Sequence, residues 1–355
     1  MIHEFQIPQP PPPQPIPIAR QPFNPSWAIH TLGDFNIHCS FCQAFHWLDE
    51  RLSDSSKIRP KFGMCCNQGK VALPPLQSPP AELMDLYIGR DQISREFHTN
   101  IRRYNNALAF TSVGRQMDYS VNDGGGPYVF KMHGELIHKI GSLLPAEDGG
   151  TGPVYAQLYL HDPQAALDMR MGQRWNTGLD RSILRTLQDM LYRHHPATQL
   201  YRHAKELMAE IPQGQDCELS IHFDVACDRR RYNAPDAASN EISVMIPDEG
   251  YHTRDSQDII IYLRDGPLHR ISDCHPFYPA LRYVLLFPKG QLGWHPNIFY
   301  EEIEDNNQQN EDEDAEDQKC VSMAKFYKYQ LHIRTLGSHH LFLAGKLFQE
   351  YACES

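Results

Sequence analysis

The residues best suited to chemistry are four cysteines in two close groups. Cys39 and Cys42 form a Cys-x2-Cys pair, and after the 22 residues between them come the adjacent Cys65 and Cys66. A Cys-x2-Cys turn brings two thiolates to one side of the chain. Thiolates suit zinc, which is borderline-soft and takes a tetrahedral shell without strain. Adjacent cysteines project in different directions, so Cys65 and Cys66 share one ion only through an unusual turn. His46, in a Cys42-x3-His arrangement, is the alternative ligand. The residues therefore predict one structural Zn2+ held by Cys39 and Cys42, with Cys65, Cys66 and His46 competing to complete the shell. A redox-active dithiol is the competing reading, but it needs a strand ahead of the pair that the sequence does not offer. Cys217, Cys227, Cys274, Cys320 and Cys353 are scattered and read as ordinary thiols.

Around this cluster lie groups that suit nucleic acid. Lys57, Arg59, Lys61 and Lys70 sit between and beside the cysteines, where they could neutralise phosphates. Phe41, Phe45 and Trp47 could stack on unpaired bases; the alternative, preferred for Trp47, is that they pack around the metal as a small module's core. Arg102, Arg103 and Tyr104 form a second candidate phosphate-and-base surface, with a solvated helix face as the equal alternative. The net charge of −11 argues against a nucleic-acid binder only superficially. Ten acidic residues fall between Glu301 and Asp317, and without them the remainder carries −1. The stretch 170–205 holds seven Lys/Arg against Asp180 and Asp189.

The elements that must position these groups read as follows. Residues 1–25 are dense in proline, which favours an extended polyproline II tail that reads first as a linker and second as a ligand for protein partners. Residues 26–80 form the zinc-finger-like module. Residues 81–298 form a mixed domain, with a helix at Ala81 to Tyr87 and alternating runs on either side of His133-Gly134 that predict a hairpin turning there. Ile183, Leu187, Met190 and Leu191 make an apolar helical stripe behind a capping Asp180, and a second helix follows Pro196. Strands are expected at Glu241 to Ile246 and Asp258 to Leu263. Residues 299–319 are an acidic linker, too polar to bury. Residues 320–355 then open with a helix at Ser322 and end with a second from about His340 to Tyr351. Strands and helices interleave without a βαβ period, so the class is α+β. No apolar run approaches the ~18 residues of a membrane span, and no signal peptide is visible at the start. An intracellular location is the expectation.

Several blocks together resemble a known family. Cys39-Ser-Phe-Cys42-Gln-Ala44-Phe-His-Trp47-Leu-Asp-Glu50 is similar to its C-x2-C-x-A-x2-W-x2-E motif, and Phe62-Gly-Met-Cys65-Cys66-Asn-Gln-Gly69-Lys70-Val71-Ala-Leu73-Pro74 to the F-x2-C-C-x2-G-K-V-x-L-P block after it. Asn100 to Gly114, Tyr128 to Pro145, Ala156 to Asp162, and Tyr278 to Gly290 with Gly293-Trp-His295 continue the series in order. The family is that of eukaryotic Helitron replication-initiator/helicase proteins, and the similarity runs over roughly residues 30–355. It implies a rolling-circle transposase that nicks single-stranded DNA with a His-hydrophobe-His metal site and catalytic tyrosines, and unwinds it with a downstream helicase. The cysteine region is implied to be a zinc-finger-like DNA-binding part, and residues 320–355 the start of the helicase-like domain.

The chemistry of that full protein is missing here. His194-His195 and His339-His340 are adjacent pairs without a spacer, and two histidines face one metal from a strand only when two apart. Tyr327 and Tyr329 read as helix-packing aromatics. Gly345-Lys346 and Gly69-Lys70 both lack the rest of a G-x4-G-K-[ST] phosphate loop, so ATP hydrolysis has no seat. The expectation is a nuclear, non-catalytic segment that binds DNA, single-stranded transposon ends in particular, ahead of a nuclease that would begin near Ser355. The alternatives are a zinc-containing protein-interaction module that binds no DNA, and a thiol enzyme built on Cys39 and Cys42.

Overall fold

The computed structural model describes residues 31–117, 132–140, 155–210, 218–221, 242–245, 259–262, 269–270, 275–301, 320–334 and 339–354. Within them the chain is α+β, a helical core with small antiparallel sheets and a cysteine cluster near its start. The proline-rich tail and residues 302–319 of the acidic run lie outside the described residues.

A two-stranded ribbon opens the described chain, β1 (Ile37–His38) against β2 (Phe45–His46). Helices α1 (Ala81–Ile88) and α2 (Gln92–Leu108) follow, the second capped by Asp91, whose carboxylate accepts from the Ser94 N–H. Phe97, Ile101, Tyr104 and Leu108 recur along α2 at helical spacing and are all buried. Strand β3 (Ser112–Met117) pairs with β4 (Met132–Ile140). Residues 132–140 form one continuous strand, so the hairpin expected to turn at His133-Gly134 is not made there. Backbone pairing with residues 112–117, which side-chain alternation could not reveal, keeps that strand extended.

Helices α3 (Pro163–Gly172), α4 (Arg181–His194) and α5 (Pro196–Glu210) come next. Asp162 and Asp180 cap the first two, each accepting from two backbone N–H groups. Ile183, Leu184, Leu187, Met190 and Leu191 are buried on α4, as their spacing requires. Strands β5 (Glu218–Ile221), β6 (Ile242–Met245) and β7 (Ile259–Tyr262) form a sheet in the order β6-β5-β7, while β8 (His269–Arg270) extends the β3-β4 sheet. A short α6 (Tyr278–Arg282), α7 (Met323–Leu331), α8 (His340–Leu343) and α9 (Lys346–Glu354) complete the set. The single final helix expected from about His340 to Tyr351 is two, broken at Ala344-Gly345, where Gly345 takes φ +53°. No helix among the described residues is long and apolar enough to cross a membrane.

Residues 277–287 run through the centre of the main core and are buried at every position. Such an irregular stretch cannot satisfy its own carbonyls, and unpaired buried polar groups are costly. Side chains from four surrounding elements fill the gap. The Tyr87 hydroxyl donates to the Leu285 carbonyl (2.9 Å), Asn105 Nδ2 to Arg282 O (2.9 Å), His195 Nε2 to Ala280 O (3.0 Å) and His340 Nε2 to Leu286 O (2.9 Å). Asn105 also accepts from the Leu285 N–H through Oδ1 (3.2 Å).

The same segment carries a buried charge. Arg282 donates from Nη2 to Glu350 Oε1 at 2.8 Å and from Nη1 to Asn106 Oδ1 at 2.6 Å, with Arg282 and Glu350 2% and 1% exposed. Glu350 thereby ties α9 to the centre of the fold. Removing one partner strands the other charge in the interior, a loss of about 3–5 kcal/mol. Glu350→Ala is expected to lower unfolding stability by that amount in urea titrations; a loss below about 1 kcal/mol would contradict this role.

Candidate metal centre

The Sγ atoms of Cys39, Cys42, Cys65 and Cys66 all lie within 4.8 Å of one another. Cys39 and Cys66 sulfurs are 3.7 Å apart, and those of Cys65 and Cys66 3.8 Å. A tetrahedral ion with Zn–S bonds of about 2.3 Å separates its sulfurs by about 3.8 Å. Those two pairs match the spacing of such a shell, and the four thiols together could hold a metal ion.

Two tight turns produce this convergence. In the first, the Cys39 N–H donates to Ala44 O and the Gln43 N–H to Cys39 O, both at 2.9 Å, while Gln43 adopts φ +60°. The β1–β2 ribbon flanks the turn and fixes its exit. In the second, Asn67, Gln68 and Gly69 take φ of +49°, +57° and +94° in succession. This run in the left-handed region, rare for non-glycine residues, is the unusual turn that lets adjacent cysteines face one point. It also aims the Gly69 N–H at Cys66 Sγ (3.2 Å) and returns the Val71 N–H to Cys66 O (2.9 Å).

The electrostatics follow from crowding. The Cys42 thiol, hydrogen-bonded by Cys39, Cys65 and Cys66, is held far below the usual thiol range. Cys65 and Cys66, bonded to Cys39 and Cys42 and desolvated, are pushed far above it. Four packed thiols cannot all ionise by themselves; a cation at their centre removes the obstacle.

His46 lies outside the quartet. Its Nδ1 meets Glu50 Oε2 at 2.6 Å, and its ring stacks on Phe62 with centroids 4.0 Å apart. The carboxylate and the stacking partner hold the imidazole in place, and the group that could hold a metal ion among the described residues consists of the four cysteines. Phe35 packs on Phe45 and Trp47, whose ring centroids lie 5.9 and 4.4 Å away, which assigns those two aromatics to packing. Phe41 differs, being 53% exposed.

The four basic residues of the module, Lys57, Arg59, Lys61 and Lys70, are all exposed and make no ion pair among the described residues. The second candidate surface is corrected. Tyr104 is fully buried, its hydroxyl donating to Glu96 Oε2 (2.6 Å) and accepting from the Asp180 N–H (2.9 Å). Arg103 is spent on Asn100 Oδ1 and on the Trp175 and Thr177 carbonyls, and Arg102 lies 3.9 Å from Glu350. These three residues belong to the inward face of α2 and its edges because the helix packs through them, which residue type alone does not disclose.

Sequence reading missed that the module is not free-standing. Arg334 donates from Nε to the Cys42 carbonyl (3.2 Å), and its guanidinium covers the Tyr329 ring at 3.7 Å. The Phe45 N–H donates to Ile333 O (2.8 Å), and Tyr329 packs against the cysteine cluster. Val71 shares a further apolar cluster with Val321, Phe326 and Trp294, whose Nε1 donates to Val321 O (2.7 Å). The segment 320–334 therefore seats the cysteine cluster. The only signal for this was the run of aromatics Phe326, Tyr327 and Tyr329, which packs as expected of helix-borne aromatics.

No protein-family model matches the chain, and no curated protein matches it.

Proposed function

We propose that the four cysteines hold a structural Zn2+ and that the resulting rigid platform presents Lys57, Arg59, Lys61 and Lys70 to the phosphates of single-stranded DNA. The chain is then the non-catalytic DNA-binding part of a Helitron-type rolling-circle transposase, and residues 320–355 the start of its helicase-like domain. The observation that carries this reading is the cluster of four thiols, all within 4.8 Å of one another, bordered by exposed cations that make no ion pair among the described residues. Phe41, exposed between two of the cysteines, supplies a ring on which an unpaired base can stack.

Salt dependence tests it. Binding to a short single-stranded oligonucleotide is expected to weaken linearly with the logarithm of salt. Each phosphate neutralised on a single strand contributes about 0.7 to the slope, so Lys57→Glu, Arg59→Glu and Lys61→Glu combined are expected to reduce it by about 2. An unchanged slope would remove the module from DNA binding. In a nicking assay on transposon ends, this chain alone is expected to leave the strand intact.

A protein-interaction role is favoured by one observation. Ile58, Met64 and Phe41 are exposed on the module, Ile58 by 92%, and exposed apolar side chains grouped on one module suit a protein partner. That reading predicts oligonucleotide binding no stronger than for an acidic control protein.

A further inference from the structure

Trp175 stands at the surface on a tight turn, Arg174–Asn176, that joins α3 to α4. Tryptophan normally buries most of its area, and the other described tryptophans are packed. Trp47 meets the Phe35 ring, and Trp294 donates from Nε1 to Val321 O within an apolar cluster. Trp175 is 53% exposed, and its side chain has neither a ring contact nor a hydrogen bond among the described residues.

The turn that carries it is fixed from three sides. Asn176 is buried and donates from Nδ2 to Arg170 O (2.9 Å). Thr177 Oγ1 donates to Arg174 O (2.9 Å). Arg103 reaches across from α2 and donates from Nη2 to the carbonyls of Trp175 (3.1 Å) and Thr177. These bonds hold the backbone on both sides of Trp175, so the indole is presented in advance of any partner.

The charge around the ring is one-sided. The Arg103 guanidinium, bonded to Trp175's own carbonyl, has no carboxylate partner among the described residues, and neither has the exposed Arg174. The acidic side chains of the adjoining turns are already engaged. Glu96 accepts from Tyr104 and Asn100, Asp180 caps α4, and Asp168 pairs with Arg181.

We infer that Trp175 is a stacking platform for an unpaired base of single-stranded DNA, with Arg174 meeting a flanking phosphate and Arg103 keeping the platform positive. Every base has a π-face, so an open indole beside uncompensated cations takes a strand with little regard to sequence. An apolar partner would leave both guanidinium charges unanswered. The surface belongs to α2 and the α3–α4 turn, so the inference goes beyond the proposed metal platform and does not require it.

The test is the anisotropy of a labelled oligothymidylate titrated with the full chain, alongside a duplex of equal length. Trp175→Ala is expected to weaken oligothymidylate binding about fivefold to a hundredfold, and Trp175→Phe, which keeps a ring, by less. Both variants should melt close to the parent, and all three proteins should bind the duplex alike, since paired bases offer no free face. Arg174→Glu should lower the salt slope by about 0.7. The indole emission that the parent has and Trp175→Phe lacks should be quenched by the strand. Oligothymidylate that binds the parent and Trp175→Ala equally, or not at all, would overturn the site, as would an equal loss on the duplex. In the Lys57, Arg59 and Lys61 charge-reversal protein this quenching should persist. Quenching with an unchanged salt slope there would count against the metal platform alone; a reduced slope without quenching would count against the Trp175 site alone.

Discussion

Cys65→Ser is expected to abolish stoichiometric zinc binding and to open residues 31–73 to proteolysis while the helical core stays folded. The apolar cluster that accompanies the cysteines comprises only Cys39, Ala44, Phe62, Cys65 and Cys66 as buried members. So small a core cannot order the surrounding turns by burial alone. Those turns hold Gln43, Asn67, Gln68 and Gly69 at positive φ, and the three non-glycine residues among them oppose the fold unless something pins it. Structural zinc supplies apparent binding free energies of about 10–16 kcal/mol in small finger domains, and that energy is folding energy. Losing one thiolate of four should therefore cost more than any single packing defect elsewhere in the chain. Metal content by mass spectrometry and limited proteolysis followed by peptide mapping read the two consequences separately. Chelation of the parent protein should reproduce the variant. Full zinc occupancy in the variant, or protection of residues 31–73 after chelation, would contradict the metal's role.

Acidification from pH 7 to pH 5 is expected to remove about 4 kcal/mol of stability through two buried imidazoles. Burial lowers His195 to about 4, against the opposing pull of its hydrogen bond to Ala280 O. His340 is likewise lowered to about 4 by burial, opposed by its bond to Leu286 O. Both nitrogens of His195 are committed: Nε2 donates to the Ala280 carbonyl, and Nδ1 accepts from the Ala197 N–H at 3.2 Å. A second proton would have to enter at Nδ1, against that N–H. The direction of the effect follows from linkage. In the unfolded chain a histidine takes up its proton near pH 6.5, whereas the folded core refuses it until about pH 4. The stabilisation is therefore complete above pH 6.5 and is lost as pH falls through that window, by about 2 kcal/mol per group at pH 5. Urea midpoints at the two pH values measure the loss. His195→Gln, which keeps a donor near the Ala280 carbonyl, should remove about half of the pH dependence; an unaltered pH profile in that variant would exclude His195 as its source.

The two effects differ in what made them legible. The zinc-type spacing of Cys39 and Cys42, the capping Asp180 with its apolar stripe on α4, and the aromatic character of residues 326–329 are all local facts. Each depends on neighbours within a turn or two, where backbone geometry fixes what meets what. The His195, His340, Tyr87 and Asn105 side chains gave no comparable sign. They matter because residues 277–287 pass through the core without regular pairing and need donors from α1, α2, α8 and the junction of α4 with α5. The burial of Tyr104 and the engagement of Arg103 by the Trp175 and Thr177 carbonyls are of the same kind, set by which face of α2 meets its neighbours.

By itself the sequence determined the α+β class, the positions of α1, α4, α5 and α7 and the region of the cysteine cluster, because periodicity, caps and thiol spacing are short-range. Only the tertiary structure decided that Cys65 and Cys66 both turn inward while His46 is held by Glu50 and Phe62. It alone showed that residues 320–334 seat the cysteine module. These outcomes join residues tens to hundreds of positions apart. Their meeting is set by the packing of whole elements, which no local pattern of residue types encodes.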